Sequence, residues 1–354
     1  MKTKSALLIF LSVVLALGLL ILARSPSAPT VTVSTLAGGE QGFVDDVGSA
    51  ARFNEPSGIA MDKAGNLYVT DTFNHRIRKI SPEGEVSTFA GSGVSGNADG
   101  TGNAAQFDRP EGIAIDRAGN LYVTDRGNNN IRKITSKGEV STLAGSKRGF
   151  ADGKGSAAWF NWPTGIAIDR AGNLYVADYY SYSIRKVTPV GEVSTFVDGR
   201  KGSGPERLGS PCGIAIDAAG NLYVTASESI REPGTCLIRK ITPERDWNWT
   251  STFVGGKSGF ADGIGGAARF LGPCGVAMDK AGNLYVADFG NHRIRKVSKK
   301  GEVSTLAGDG RQGFADGPGS VAQFNEPFGI AIDEAGNLYV ADTSNHRIRK
   351  IVLK

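Results

Sequence analysis

Cysteine and histidine are scarce in this chain of 354 residues, which carries three of each. No two cysteines form a Cys-x-x-Cys pair, so the sequence predicts neither a disulfide framework nor a thiolate zinc site. A Gly-x-Ser-x-Gly motif is also missing, which removes the usual sign of a hydrolase with a serine nucleophile. We therefore predict no metal site and no cofactor.

Excess charge of one sign is also small, because 40 Lys and Arg stand against 35 Asp and Glu and leave a net +5. This mild excess disfavours nucleic acid as a partner. Glycine, in contrast, is abundant, with 49 Gly beside 14 Pro. Each glycine in a helix interior costs about 1 kcal/mol relative to alanine, so a helical bundle is excluded.

The first 24 residues form a separate segment. Two lysines precede the nearly unbroken apolar run Ala6–Ala23, which Arg24 ends. As a helix this run would be about 27 Å long, close to the hydrocarbon thickness of a bilayer. The order predicts an export signal, and the lack of a clean cleavage site favours an uncleaved anchor at 1–24 over a cleaved signal peptide. We expect a linker at 25–31 and the remainder outside the cytoplasm, either membrane-anchored or, after cleavage, secreted.

Residues 32–354 are built from one repeated unit. The phrase Pro-x-Gly-Ile/Val-Ala-x-Asp recurs every 48 to 62 residues, and every copy continues as Ala-Gly-Asn-Leu-Tyr-Val. Self-similarity at this period indicates a propeller, a solenoid or an array. The six copies begin at Pro56, Pro110, Pro163, Pro211, Pro273 and Pro327.

Each unit predicts four short strands. In the first copy these are Gly58–Met61, Leu67–Thr70, Arg76–Ile80 and Glu85–Ala90, separated by turn sequences. Four antiparallel strands in about 50 residues are typical of a propeller blade. The last copy lacks its fourth strand, and a matching segment, Val33–Gly38, precedes the first copy. The sequence thus predicts an all-β, six-bladed β-propeller of four-stranded antiparallel blades, closed by the N-terminal strand completing the last blade.

Three copies carry Asn-His-Arg before the third strand, at Asn74, Asn291 and Asn345. Through this motif the chain resembles the NHL-repeat family of six-bladed β-propellers over residues 31–354. The resemblance implies the fold, but this fold serves enzymes and binding proteins alike. We expect each histidine to bond within its own blade, near an aspartate such as Asp71. We also expect the repeated Ile-Arg-Lys cations to pair with the aspartates at the positions of Asp62 and Asp71.

The residue between Pro and Gly is predicted to lie near the propeller axis. Metal-dependent relatives of this fold place histidine or several acids there, whereas this chain places only one acid, Glu111. If the chain catalyses a reaction, Glu111 is the predicted acid or base. The six axial residues are Ser57, Glu111, Thr164, Cys212, Cys274 and Phe328.

Units three and four depart from the repeat together. The loop entering unit four is shortened, that unit gains an insertion, and unit three is rich in aromatic residues. We predict a notch that binds a protein, peptide or carbohydrate, although the aromatics could instead pack beneath the insertion. Cys236 is a candidate disulfide partner of Cys212. The predicted ligand-binding residues are Trp159, Trp162, Tyr179, Tyr180, Tyr182, Cys212, Glu228 and Arg231.

Three functions remain open on the sequence. The leading hypothesis is a membrane-tethered or exported binding module, a sensor or a scaffold, which uses the loop-rich face at blades 3 and 4. The alternative is an exported hydrolase or lyase with a central-channel active site. A weaker alternative is an RNA-binding propeller, which the export signal and the balanced charge disfavour.

Overall fold

A computed structural model of the chain describes residues 30–200, 208–227, 234–243 and 250–354. Over these ranges the strands form six antiparallel sheets. The innermost strands of successive sheets contact one another, and the sixth contacts the first. The sheets therefore close a ring around one axis, which confirms the predicted six-bladed β-propeller.

Each blade runs from an inner strand at the axis, through a second and a third strand, to an outer strand at the rim. The inner strands, which number the blades 1 to 6, are Pro56–Met61, Pro110–Ile115, Pro163–Ile168, Ser210–Ile216, Pro273–Met278 and Pro327–Ile332. The second strands are Leu67–Asp71, Leu121–Asp125, Leu174–Asp178, Leu222–Ser227, Leu284–Asp288 and Leu338–Asp342. The third strands are Arg76–Ile80, Asn130–Ile134, Ser183–Val187, Thr235–Ile241, Arg293–Val297 and Arg347–Leu353. The outer strands are Val86–Ala90, Glu139–Ala144, Glu192–Asp198, Thr250–Lys257, Glu302–Ala307 and Val31–Gly38.

The ring is closed by the first strand of the chain. Val31–Gly38 pairs antiparallel with Arg347–Leu353, with Val33 opposite Ile351. The register shifts between Thr35 and Ala37, where a bulge leaves one residue extra. This pairing confirms the predicted closure, and it covers the sheet edges that an incomplete sixth blade would leave open.

Within the described residues, four blades carry a short fifth strand beyond the predicted four. It lies in the inter-blade loop, the segment that joins one outer strand to the next inner strand, and it pairs with the outer strand of the blade that it enters. An aspartate holds the loop there: in blade 2, Asp99 accepts bonds from Thr142 N and Oγ1. The added strands are Gly100–Thr101, Gly153–Lys154, Gly263–Ile264 and Gly317–Pro318.

The helices in the described part of the chain are three-residue 3₁₀ turns, and none of them is long and apolar enough to cross a bilayer. The predicted anchor at 1–24 lies outside the described residues and stays a prediction. The turns in the inter-blade loops are Gly48–Ala50, Gly102–Ala104, Gly155–Ala157 and Gly265–Ala267. Those between second and third strands are Thr72–Asn74, Tyr179–Ser181, Phe289–Asn291 and Thr343–Asn345.

The hydrophobic core is divided into clusters between neighbouring blades. At the closing seam, Phe53 from the loop entering blade 1 is fully buried among Ile59 and Leu67 of blade 1 and Ala341 and Ile348 of blade 6. Phenylalanine recurs at this position in every inter-blade loop but the one entering blade 4. Each blade therefore shares its core with the next one, and burial of this apolar surface holds the ring together.

A buried arginine in the third strand braces the blade against its inter-blade loop, and the described residues show this in blades 1, 2, 3, 5 and 6. In blade 1, Arg78 binds Asp71 at 2.6 Å and Asp45 of the inter-blade loop at 2.5 Å. Asp62, which the sequence suggested as an ion-pair partner, instead accepts the amides of Ala64 and Asn66 and closes its own turn. The bracing arginines are Arg78, Arg132, Arg185, Arg295 and Arg349.

The histidines connect neighbouring blades rather than bonding within one blade as expected. His346 Nδ1 accepts the amide of Glu55 at 3.2 Å, across the closing seam. His75 and His292 make the same bond to the blades that follow them. The bond to the aspartate of the same blade comes from the asparagine of the motif, as in Asn74 Nδ2 to Asp71. We call the bond that links the residue two before each Ile-Arg-Lys segment to an amide of the next blade the inter-blade latch.

Candidate functional site

The inner strands meet at the axis through the glycine of each Pro-x-Gly motif. A Cβ on Gly58 would lie 2.3 Å from the carbonyl oxygen of Glu111 in the next blade, and one on Gly329 would lie 2.0 Å from that of Ser57. Only glycine permits so close an approach between backbones. The residue before each glycine is thereby fixed at one end of the axis.

A cavity of about 150 Å³ lies on the axis at this end. Glu111, Cys212 and Phe328 contribute to its wall, together with the glycines and the isoleucine or valine that follows each of them. A dry cavity of this size accepts a benzene molecule in other proteins. The cavity therefore has room for one side chain or a similar small group, not for a whole cofactor.

One carboxylate and one guanidinium form an ion pair beside this cavity. Glu111 is 3% exposed, and its Oε2 contacts Nη1 of Arg126, which follows the second strand of blade 2. Burial raises the pKa of the Glu111 carboxyl, and the charge of Arg126 offsets only part of that rise. The arginine side chain is 21% exposed, so it closes over the acid and keeps one side open to solvent.

Aromatic rings continue outward from Arg126. Its guanidinium carbon lies 4.7 Å from the centroid of the Trp162 ring. The ring centroids of Trp162 and Tyr180 lie 5.0 Å apart with an angle of 59° between the ring planes. Those of Tyr180 and Tyr179 also lie 5.0 Å apart, with an angle of 84°. Trp162 itself has a left-handed backbone, with φ 60°, and its amide is held by the latch from Asn129. The same left-handed conformation recurs at the equivalent residues Glu55, Arg109, Gly272 and Glu326, so it belongs to the repeat.

Two thiols complete the arrangement. The neighbouring Cys274 thiol, together with burial, raises the pKa of the Cys212 thiol well above its usual range. Burial raises the pKa of the Tyr179 phenol, and the nearby Cys212, Cys274 and Glu111 raise it further. We call Glu111, Arg126, Trp162, Tyr179, Tyr180, Cys212 and Cys274 the axial cluster.

The suggested disulfide between Cys212 and Cys236 is absent, because all three cysteines are free. Cys236 instead occupies the histidine position of blade 4, where its Sγ accepts the amide of Gly272 at 3.4 Å. It therefore makes the inter-blade latch of that blade. The insertion before the third strand hid this correspondence in the sequence.

The structure brings together five of the predicted site residues, and it joins two hypotheses that the sequence kept apart. Glu111, assigned to a channel, lies in one cluster with three of the aromatic residues assigned to a notch, Trp162, Tyr179 and Tyr180. Trp159 lies apart on the inter-blade loop, with Lys147 Nζ 3.9 Å from its ring centroid, and Tyr182 occupies a latch position. Glu228 and Arg231 lie outside the described residues, so the predicted notch stays a prediction. The five that meet are Glu111, Trp162, Tyr179, Tyr180 and Cys212.

Arg126 was missed by the sequence reasoning. It occupies the same repeat position as Tyr179, directly after the last residue of the second strand. The remaining blades have threonine, serine or phenylalanine there, such as Thr72, Ser227 and Phe289, so the single arginine was a signal of asymmetry. Phe289 packs edge-on against Phe328 of the neighbouring blade 6, with the ring centroids 6.3 Å apart.

The chemistry available to the axial cluster is limited in kind. Within 30–200, 208–227, 234–243 and 250–354, no group of three or more His, Cys, Asp or Glu side chains could hold a metal ion. The cluster offers one buried carboxyl, one cation, aromatic faces and two thiols. This set suits recognition of a small polar or aromatic group, and it includes one group able to act as an acid or base.

Comparison with known protein families gives one match, the NHL repeat, at residues 53–80, 107–134, 160–187, 270–297 and 324–351. Among curated relatives, SUPPRESSOR OF QUENCHING 1 of Arabidopsis thaliana is 32% identical over 89% of this chain and 26% of its own length. NHL repeat-containing protein 2 of Homo sapiens is 30% identical over 84% of this chain and 46% of its own length. The chain thus spans less than half of these relatives.

Solved structures share the fold at low sequence identity. An auxiliary nutrient binding protein of Bacteroides thetaiotaomicron has a TM-score of 0.69 and 19% identity over 92% of this chain and 77% of that one. A gluconolactonase of Xanthomonas campestris has a TM-score of 0.59 and 16% identity over 93% of this chain and 95% of that one. A virginiamycin B lyase of Staphylococcus aureus has a TM-score of 0.52 and 16% identity over 92% of this chain and 100% of that one. Binding proteins and enzymes thus share this architecture, so the site must decide the function.

Proposed function

Because this chain belongs to the NHL-repeat family, we propose that it is a binding module that takes a peptide segment of a partner protein at the axial cluster. The observation that carries the proposal is the position of Arg126, between the buried carboxylate of Glu111 and the face of Trp162. Such an arginine is fixed before the ligand arrives, so little conformational entropy is lost when it binds a peptide carbonyl or carboxylate.

The arrangement of the rings favours a peptide over a carbohydrate. Trp162, Tyr180 and Tyr179 meet at 59° and 84°, so they form a cup and not the flat platform on which a sugar ring stacks. The cavity of about 150 Å³ beside them has room for one side chain. A peptide would therefore lie across the cup and insert a single residue toward the axis.

A binding experiment with the full chain tests this proposal. A peptide array and a glycan array are probed with the wild type, with the double variant W162A/Y180A and with F73A. Phe73 occupies the position of Tyr180 in blade 1 and is 40% exposed, so it is a matched control. We expect peptide binding that F73A retains and that the double variant loses. Binding to glycans alone, or peptide binding unchanged in the double variant, would contradict the proposal.

A catalytic role is the second candidate, and Glu111 favours it. This carboxyl lies on the axis with a raised pKa, as a general acid requires. Its low exposure and its ion pair with Arg126 oppose direct access by a substrate. The test is turnover of a δ-lactone of an aldonic acid, a probe chosen because a gluconolactonase shares the fold. Turnover that E111Q abolishes would establish the enzyme, whereas its absence in the wild type leaves the binding module.

We also propose that residues 1–24 tether the module to a membrane, with the propeller outside the cytoplasm. The apolar run Ala6–Ala23 and the lysines before it support this location. Fractionation of cells that express the full chain, followed by protease treatment of intact cells, tests it. Recovery of the protein in the membrane fraction and its digestion from outside are expected. A soluble, protected protein would contradict the tether.

A further inference from the structure

The third strands of blades 1, 5 and 6 begin with an arginine that rests on a phenylalanine of the inter-blade loop. In blade 1, Nη2 of Arg76 donates to the carbonyl of Ser92 at 2.7 Å, and in blade 5, Nη2 of Arg293 donates to that of Asp309 at 2.7 Å. Each guanidinium therefore lies on an aromatic face and also has a hydrogen-bond acceptor.

The equivalent arginine of blade 6, Arg347, has the stacking but not the acceptor. Its guanidinium carbon lies 3.7 Å from the centroid of Phe314. Gly39 stands at the position of Ser92, and within the described residues the guanidinium of Arg347 makes no hydrogen bond or ion pair. Its Nε is buried without a partner, as is that of Arg76, so the difference between the two arginines lies in the Nη groups, which have an acceptor in Arg76 and lack one in Arg347.

Arg347 borders an open cavity of about 320 Å³ at the seam between blades 6 and 1. Gly39, Glu40, Ser49 and Arg52 also line this cavity. No side chain in the described ranges fills it, and its two cations come from different blades: Arg347 from the last third strand, Arg52 from the loop that enters blade 1. The cavity thus spans the place where the ring closes.

Three junctions between blades have the arginine stacked on phenylalanine, and only the junction between blades 6 and 1 adds a second arginine, Arg52. The position of Arg52 is held by Gln106 beside Arg76 and by Gln323 beside Arg293. Arg52 pairs with Glu40 at 2.7 Å, but the two side chains are 46% and 76% exposed. An exposed pair of this kind contributes at most about 1 kcal/mol, so a stronger anion can replace the glutamate.

We propose that this cavity is a binding site for a small oxyanion, with Arg347 and Arg52 as its cationic ligands. Guanidinium groups bind phosphate-like oxyanions through paired hydrogen bonds, and stacking on Phe314 fixes the plane of one of them in advance. Glu40 occupies the site of the anion on Arg52 when the cavity is empty. An anion that bridges the two arginines joins blade 6 to blade 1 and stabilises the closed ring.

Inorganic phosphate is the probe, added to the full chain at constant ionic strength with chloride as the balancing salt. Phosphate should raise the melting temperature and give a saturable isotherm by calorimetry. R347Q should weaken phosphate binding about tenfold or more, because a charge-assisted bond is lost. R76Q, the matched control at the equivalent position in blade 1, should bind phosphate as the wild type does.

Two further variants keep the proposal open to refutation if R347Q folds poorly. R52Q should weaken phosphate binding, whereas E40Q should tighten it severalfold because the competing carboxylate is removed. Equal loss in R347Q and R76Q, weaker binding in E40Q, or no difference between phosphate and chloride in the wild type would overturn the assignment. None of these variants touches the axial cluster, so a failed peptide-binding test leaves this result unaffected.

Discussion

Replacing His346 by alanine removes the acceptor that holds the amide of Glu55 across the closing seam. The bond is 3.2 Å long and lies between the last blade and the first. A hydrogen bond of this kind contributes about 0.5–1.5 kcal/mol net. Unfolding entropies of about 2.1 cal/mol/K per residue, over roughly 300 residues, convert 1 kcal/mol to a fall of about 1.5 °C in melting temperature.

The same bond makes the contribution of His346 dependent on pH. Nδ1 accepts a hydrogen bond only when it carries no proton, and burial, aided by the charge of Arg347, lowers the pKa of His346 from 6.5. Because the pKa of His346 is lower in the folded state, the unfolded chain binds more protons at every pH between the folded-state pKa and the unfolded-state pKa. The stability from this group is therefore complete above pH 6.5 and is lost as the pH falls toward the lowered pKa.

The assay compares the wild type with H346N and H346A from pH 8 to pH 5. Asn129 makes the latch of blade 2 with an amide oxygen, so H346N keeps an acceptor that does not titrate. The melting temperatures of the wild type and H346N should be nearly equal at pH 8. As the solution is acidified, the melting temperature of the wild type should fall below that of H346N. Other titrating groups cancel in this difference. A difference that is independent of pH, or a wild type that gains on H346N in acid, would refute the latch.

Three further outcomes are expected. D71A leaves the fully buried Arg78 without one of its two carboxylates, so urea unfolding should show a loss of about 3–5 kcal/mol; a loss under 1 kcal/mol would contradict the bracing role. G58A places a methyl group 2.3 Å from a carbonyl of the next blade and should prevent normal folding by circular dichroism. G48A, at φ 58° with open space around it, should cost only about 1–2 kcal/mol. Cys212, buried and with a raised pKa, should react with iodoacetamide at pH 7 far more slowly than a free thiol, and rapid alkylation in mass spectrometry would contradict its placement.

The closed ring could be predicted because the number of strands in the repeats can be counted from the sequence. A sixth unit without its fourth strand and a spare strand at Val33–Gly38 have one simple solution, which the pairing of Val33 with Ile351 confirms. The latch could not be predicted in the same way. Whether His75 bonds Asp71 or the amide of Arg109 depends on how one blade is rotated against the next, and no local pattern carries that angle.

The candidate site was predictable only as far as side chains depart from the repeat. Trp162 and Tyr180 stood out because other units have smaller or different residues at their positions, and the structure places them in contact. Glu111 stood out as the only acid in the axial ring. That these two signals describe one place required Arg126, whose contacts reach Glu111 on one side and Trp162 on the other.

The closure of the ring has a consequence for biosynthesis. Val31–Gly38 leaves the ribosome first among the strands described, and its partner Arg347–Leu353 leaves last among them. The earliest strand must wait, unpaired and prone to mispairing, until all the other described strands have been translated. Co-translational folding can therefore prepare the middle blades, but the ring closes only after Arg347–Leu353 has left the ribosome.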